Sequence, residues 1–124
     1  MILKILAVAA GGSVGATLRY LIFYFFERQH SSVFPYATLI VNLLGSFLIG
    51  FLWGYLDRYF VTTGIRLLIF VGLLGSFTTY STYAIDVLSL FRDGEFKMVA
   101  IYLLGSNVFG IGLAFLGFYV TRIF

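Results

Sequence analysis
The 124-residue sequence contains no cysteine, which excludes disulfides and thiolate-bound metals and leaves the redox compartment open. Histidine is almost as scarce: the single His30 falls in an expected connection and cannot build an imidazole metal cluster. Charge is the next shortage. Lys, Arg, Asp and Glu make up 10% of the residues, against roughly a quarter in an ordinary soluble domain. The eight basic residues outnumber the five acidic ones, but they are scattered singly, so the phosphate-tracking stripe of a nucleic-acid binder is missing. No nucleophile, base and orienting group fall together either, which argues against an enzyme.

What the chain has in quantity is apolar surface, at 61% of its residues. A soluble fold of this size cannot hide that much, so lipid must solvate it. Four apolar runs stand out, at about residues 3–26, 35–56, 65–91 and 98–123. Each reaches the roughly 20 residues a helix needs to cross ~30 Å of hydrocarbon. Ala7-Val8-Ala9-Ala10 mimics a signal cleavage site, yet the apolar run continues past it, so a retained first helix is expected. Pro35 stands where a helix can begin, because the first-turn amide has no partner anyway. The connections at 27–34, 57–64 and 92–97 are short and polar, which predicts antiparallel neighbours and both ends of the chain on one side. The expectation is an all-α membrane protein, one four-helix transmembrane domain over residues 1–124, without an internal repeat.

The distribution of cations across those connections bears on assembly. Lys4, Arg58, Arg66 and Arg122 fall on one side and Arg28, Arg92 and Lys97 on the other. Topology needs a clear basic excess on the inner side, and this chain has almost none. One reading is dual topology and an antiparallel dimer; the plainer one is weak bias overridden by context. Four helices also fill their own middle with side chains and make a poor private pore. The 14 glycines include the small-xxx-small steps Gly11/Gly15 and Gly50/Gly54, which let backbones approach closely in lipid, either between subunits or within one.

Polar groups at bilayer depth are expensive and therefore informative. The densest run is in the third span: Gly75-Ser76-Phe77-Thr78-Thr79-Tyr80-Ser81-Thr82-Tyr83. Its hydroxyls can bond back to their own helix, but β-branched Thr78 and Thr79 beside Gly75 make weak helix. A break near mid-span is predicted, tolerable only where the freed groups face protein, ions or water. In an antiparallel dimer two such breaks meet at the centre, and facing carbonyls suit a hard cation such as sodium. Tyr80 and Tyr83 share a helix face, and the positive edges of their rings can attract an anion, although aromatic packing explains them equally well. Asn42 and Asn107 are lone amides deep in the second and fourth spans, each either a staple between helices or a donor to something passing. Tyr102 and Ser106 form a polar stripe that Gly110 extends as a gap. Arg19, deep in the first span, can snorkel, pair with Asp86 one turn beyond Tyr83, or draw anions into a vestibule.

These residues resemble a known family. Gly11-Gly12-x-x-Gly15-x-x-x-Arg19-Tyr20, Asn42-x-x-Gly45-Ser46 and Gly75-x-x-Thr78-Thr79-Tyr80-Ser81-Thr82-Tyr83 look like the first-, second- and third-helix motifs of the Fluc-type (CrcB) fluoride channels. The similarity spans nearly the whole chain, and the third motif is its most specific part. The resemblance implies passive fluoride export across the inner (plasma) membrane, through two pores of an antiparallel homodimer or a heterodimer. It implies a structural sodium held by the carbonyls of Gly75 and Thr78. It implies a pore lined by Asn42, Tyr80, Thr82, Tyr83, Tyr102 and Ser106, with Arg19 and Asp86 at its vestibule. The chain departs from the family at Tyr80 and Tyr83, where phenylalanine is typical, and at Gly110, where a hydroxyl is expected. A para hydroxyl changes the ring rim, offering fluoride a donor or narrowing its path. A small dual-topology multidrug exporter is the alternative, but that class carries an acid in its first span where this chain has Arg19. A non-conducting partner subunit is a third reading, one that has no need of Asn42 and the hydroxyl-rich break.

Overall fold
The apolar runs become helices in a computed structural model that describes residues 1–29 and 33–124. His30, expected in a connection, lies outside the described residues. The order is α1 (Ile2–Gln29), α2 (Tyr36–Leu56), a third span over Thr63–Arg92, and α6 (Phe96–Ile123). The third span is composite: α3 (Thr63–Arg66), a π-helical stretch (Leu67–Leu74), α4 (Gly75–Phe77), a two-residue break, then α5 (Tyr80–Arg92). No strand occurs among the described residues. All four spans are long and apolar enough to cross a membrane, which makes this a multi-pass membrane protein. Large apolar side chains such as Leu104, Phe109 and Phe115 are accordingly exposed all around it.

Local chemistry sets the ends of these helices. Thr62 caps α3 by accepting from the Ile65 amide. Gly94, with φ of 76°, closes α5: the Glu95 amide donates to the Leu90 carbonyl and the Gly94 amide to the Phe91 carbonyl. That paired pattern needs a left-handed residue, which glycine supplies without a Cβ clash.

The tightest pairings join alternate spans. α1 packs on the π stretch and α4, and α2 packs on α6. In both, rising residue numbers meet rising numbers, so the partners run parallel. Gly11 abuts the Leu68 carbonyl and Gly15 the Leu73 carbonyl, while Gly50 abuts the Ala114 carbonyl and Gly117 the Phe47 carbonyl. A methyl at any of these four would collide with backbone. The steps Gly11/Gly15 and Gly50/Gly54 therefore serve packing within one subunit, and they carry no weight for assembly. Leu68 and Leu73, five apart, meet glycines four apart, which is the match a widened π turn provides.

Candidate ion pathway at the broken third helix
The third span breaks where its sequence is weakest as helix. Thr78 (φ −82°, ψ 158°) and Thr79 (φ −149°, ψ 116°) are extended between α4 and α5. Asn42 of α2 holds the break from the side. Its Oδ1 accepts from the Thr79 amide at 2.8 Å and its Nδ2 donates to the Thr79 carbonyl at 3.1 Å. The Thr79 hydroxyl caps α5, accepting from the Thr82 amide at 3.2 Å and donating to the Thr82 hydroxyl at 3.0 Å. Gly45 makes room for the Thr78 methyl one turn beyond Asn42.

These bonds release two carbonyls. In an unbroken helix the Thr79 amide would donate to the Gly75 carbonyl and the Thr82 amide to the Thr78 carbonyl. Here the first goes to Asn42 and the second to the Thr79 hydroxyl, so the Gly75 and Thr78 oxygens both lose their helical donors. Carbonyl oxygens freed in this way are the ligand type that unwound membrane helices offer to sodium, so these residues fit the ion. The Thr78 oxygen does receive one long contact, from Arg19 Nη1 at 3.5 Å. Arg19 is thus turned toward the break. Among the described residues it forms no pair with Asp86, which instead accepts from the Tyr102 hydroxyl at 3.0 Å.

A concavity of about 310 Å³ opens beside the break, lined by Asn42, Ser46, Gly75, Thr78 and Tyr80 among others. A second, of about 280 Å³, lies toward the α1–α2 connection and is lined by Glu27, Thr38, Thr82 and Asp86 together with aromatic residues. An aromatic ladder runs along α5 and α6. Tyr80 lies 5.7 Å from Tyr83, Tyr83 lies 5.0 Å from Tyr102, and Tyr102 lies 5.5 Å edge-on to Phe34, all between ring centroids. Tyr102 is fully buried. The Tyr83 hydroxyl accepts from Asn107 Nδ2 at 3.2 Å. Among the described residues Ser106 Oγ is buried and meets no hydrogen-bond partner, unusual for a helical serine, which normally bonds one turn back.

The pairing of α2 with α6 aligns two polar stripes. Ser46 lies against Gly110, and the same parallel register carried back one and two turns sets Asn42 level with Ser106 and Thr38 level with Tyr102. The structure therefore groups Asn42 with Tyr80 at one concavity and Thr82 with Asp86 at the other. Tyr83 and Tyr102 form the aromatic ladder, and Arg19 reaches the Thr78 carbonyl at the break. Sequence reasoning missed Thr38, a buried hydroxyl in the second concavity. Its signal was available: Thr38, Asn42 and Ser46 recur every four residues on one helix face.

Comparison with known proteins agrees in extent with this architecture. Residues 6–118 match the family described as CrcB-like protein, Camphor Resistance (CrcB). A relative from Aquifex aeolicus, named fluoride-specific ion channel FluC, is 44% identical over 115 residues, covering 92% of this chain and 93% of its own. Proteins of the same name from Parabacteroides distasonis and Nitrosococcus oceani are 39% and 36% identical, covering 93% and 97% of this chain and 90% and 97% of their own. With a match across nearly all of its four spans, the chain belongs to the CrcB-like family.

Proposed function
We infer that this chain is a fluoride-selective channel. The observation that carries the reading is the clamped break with its row of donors, in a chain of the same family and length as proteins named fluoride-specific channels. Fluoride is small and strongly hydrated, so a pore must replace its water without trapping it. Several weak donors and ring edges in series do this better than one fixed charge. The Ser106 hydroxyl, the Thr82 hydroxyl, the remaining Asn42 amide hydrogen and the rings of Tyr80, Tyr83 and Tyr102 supply such a series. Arg19 adds positive potential at the break, drawing anions toward it.

Conduction is passive, out of the cell across the inner (plasma) membrane. The conducting form is an antiparallel dimer, with a homologous second chain as the variant partner. Two features support a dimer: the near-even basic residues, and a break whose Gly75 and Tyr80 are exposed in the single chain, Tyr80 at 81%. Irregular backbone at that depth needs protein or water over it. A sodium ion at the Gly75 and Thr78 carbonyls would supply fixed positive charge that joins the two breaks; it is structural and not carried. Expression in bacteria lacking fluoride export should restore growth in fluoride medium. Continued sensitivity with the protein present in the membrane would count against the reading.

A further inference from the structure
The amide of Asn107 is fully committed on its nitrogen side. Nδ2 donates to the Leu103 carbonyl at 2.8 Å and to the Tyr83 hydroxyl at 3.2 Å. A carbonyl can only accept, so Leu103 fixes which end of the amide is nitrogen. The Tyr83 oxygen is therefore an acceptor in this contact, and its own proton is directed elsewhere. Among the described residues that proton meets no acceptor. The ring has little freedom to turn away, since Tyr83 is 8% exposed and is packed between Tyr80 and Tyr102. A buried donor without an acceptor is unfavourable unless something arrives to accept from it. A hydroxyl that already accepts is also polarised to donate more strongly. Next to Asn107 in the chain, Ser106 Oγ is buried and meets no hydrogen-bond partner among the described residues.

We propose that Asn107 is a positioning residue for the anion path, holding the Tyr83 phenol so that its O–H is a donor to a small hard anion. This rests on the fluoride-channel reading and deepens it, because the hydroxyl stands where the family resemblance implies phenylalanine. Tyr83 then acts as donor and ring wall together, with Ser106 as a second donor from the neighbouring α6. Asn107 does not touch the ion; it acts through Tyr83.

A double-mutant cycle in liposomes tests this, scoring fluoride efflux against chloride efflux. Asn107→Leu and Tyr83→Phe should each lower the fluoride preference by roughly fivefold, the loss of one directed hydrogen bond. The double variant should lose no more than either single, since both remove the same donor. Asn107→Asp should lose more than Asn107→Leu, because a carboxylate captures the Tyr83 proton outright. Asn107→Ala serves in place of Asn107→Leu if the bulkier variant fails to assemble. Additive losses in the double variant, or an unchanged preference in Asn107→Leu, would overturn the proposal. The tyrosine Raman doublet, taken as wild type minus Tyr83→Phe, gives a readout independent of flux. It should report an accepting phenol without fluoride and a phenol that also donates once sodium fluoride is added. A doublet unmoved by fluoride overturns the proposal even where the wild type conducts, and wild-type liposomes that do not conduct count against the channel reading alone.

Discussion
Replacing Asn42 with leucine removes the clamp on the break while keeping the branched shape of the side chain. The Thr79 amide then loses its acceptor, Asn42 Oδ1 at 2.8 Å, in a residue only 6% exposed. The Thr79 carbonyl, by contrast, sits at the start of α5, where the turn above can still donate to it, so its loss is the smaller one. An unmet buried amide costs about 1–3 kcal/mol. The chain can avoid that by returning the amide to the Gly75 carbonyl, which closes the break and removes one of the two freed oxygens. Either outcome shifts the same free energy against the open arrangement. Converted at about 1.4 kcal/mol per decade, fluoride passage should slow by roughly five- to a hundredfold. The assay is fluoride efflux from loaded liposomes, read beside amide hydrogen exchange across residues 75–83. Wild-type efflux together with unaltered exchange at Thr79 would refute the clamp.

Other outcomes follow from the same geometry. If the Gly75 and Thr78 carbonyls hold sodium, exchanging sodium for N-methylglucamine should lower the unfolding temperature, and sodium flux should stay at the level of empty liposomes; a temperature independent of sodium would remove the ion. A reporter fused after Phe124 should appear on both faces of the membrane, and its confinement to one face would contradict the antiparallel homodimer. Gly50→Ala drives a methyl into the Ala114 carbonyl and should destabilise the fold by about 1–3 kcal/mol or more, whereas Gly112→Ala, with open space around it, should be neutral or slightly stabilising in a thermal melt.

Much of the fold was legible because lipid imposes a simple rule, a run of apolar residues long enough to span, and all four runs obey it. The break was legible for a different reason. Thr78 and Thr79 are weak helix formers surrounded by hydroxyls, and the local alternative to helix was visible in their side chains. The π stretch was not legible, because Leu67–Leu74 read as ordinary apolar helix and its widening answers the spacing of carbonyls against Gly11 and Gly15. Those same glycines hinted at assembly only because a sequence does not say which helix a small residue faces. The sequence offers Arg19 a carboxylate in Asp86, but its acceptor is a backbone oxygen that the break itself uncovers. The Asn107–Tyr83 bond depends on the antiparallel register of α5 and α6, which short connections permit without setting.

On this reading the chain, with no other subunit, conducts fluoride in preference to chloride. Purified protein reconstituted into liposomes loaded with both anions tests it most directly, with efflux of each followed by ion-selective electrode. Fluoride efflux should run well above that of empty liposomes, and chloride efflux should be indistinguishable from it. Equal rates for the two anions, or no fluoride efflux above the empty-liposome rate, would contradict it.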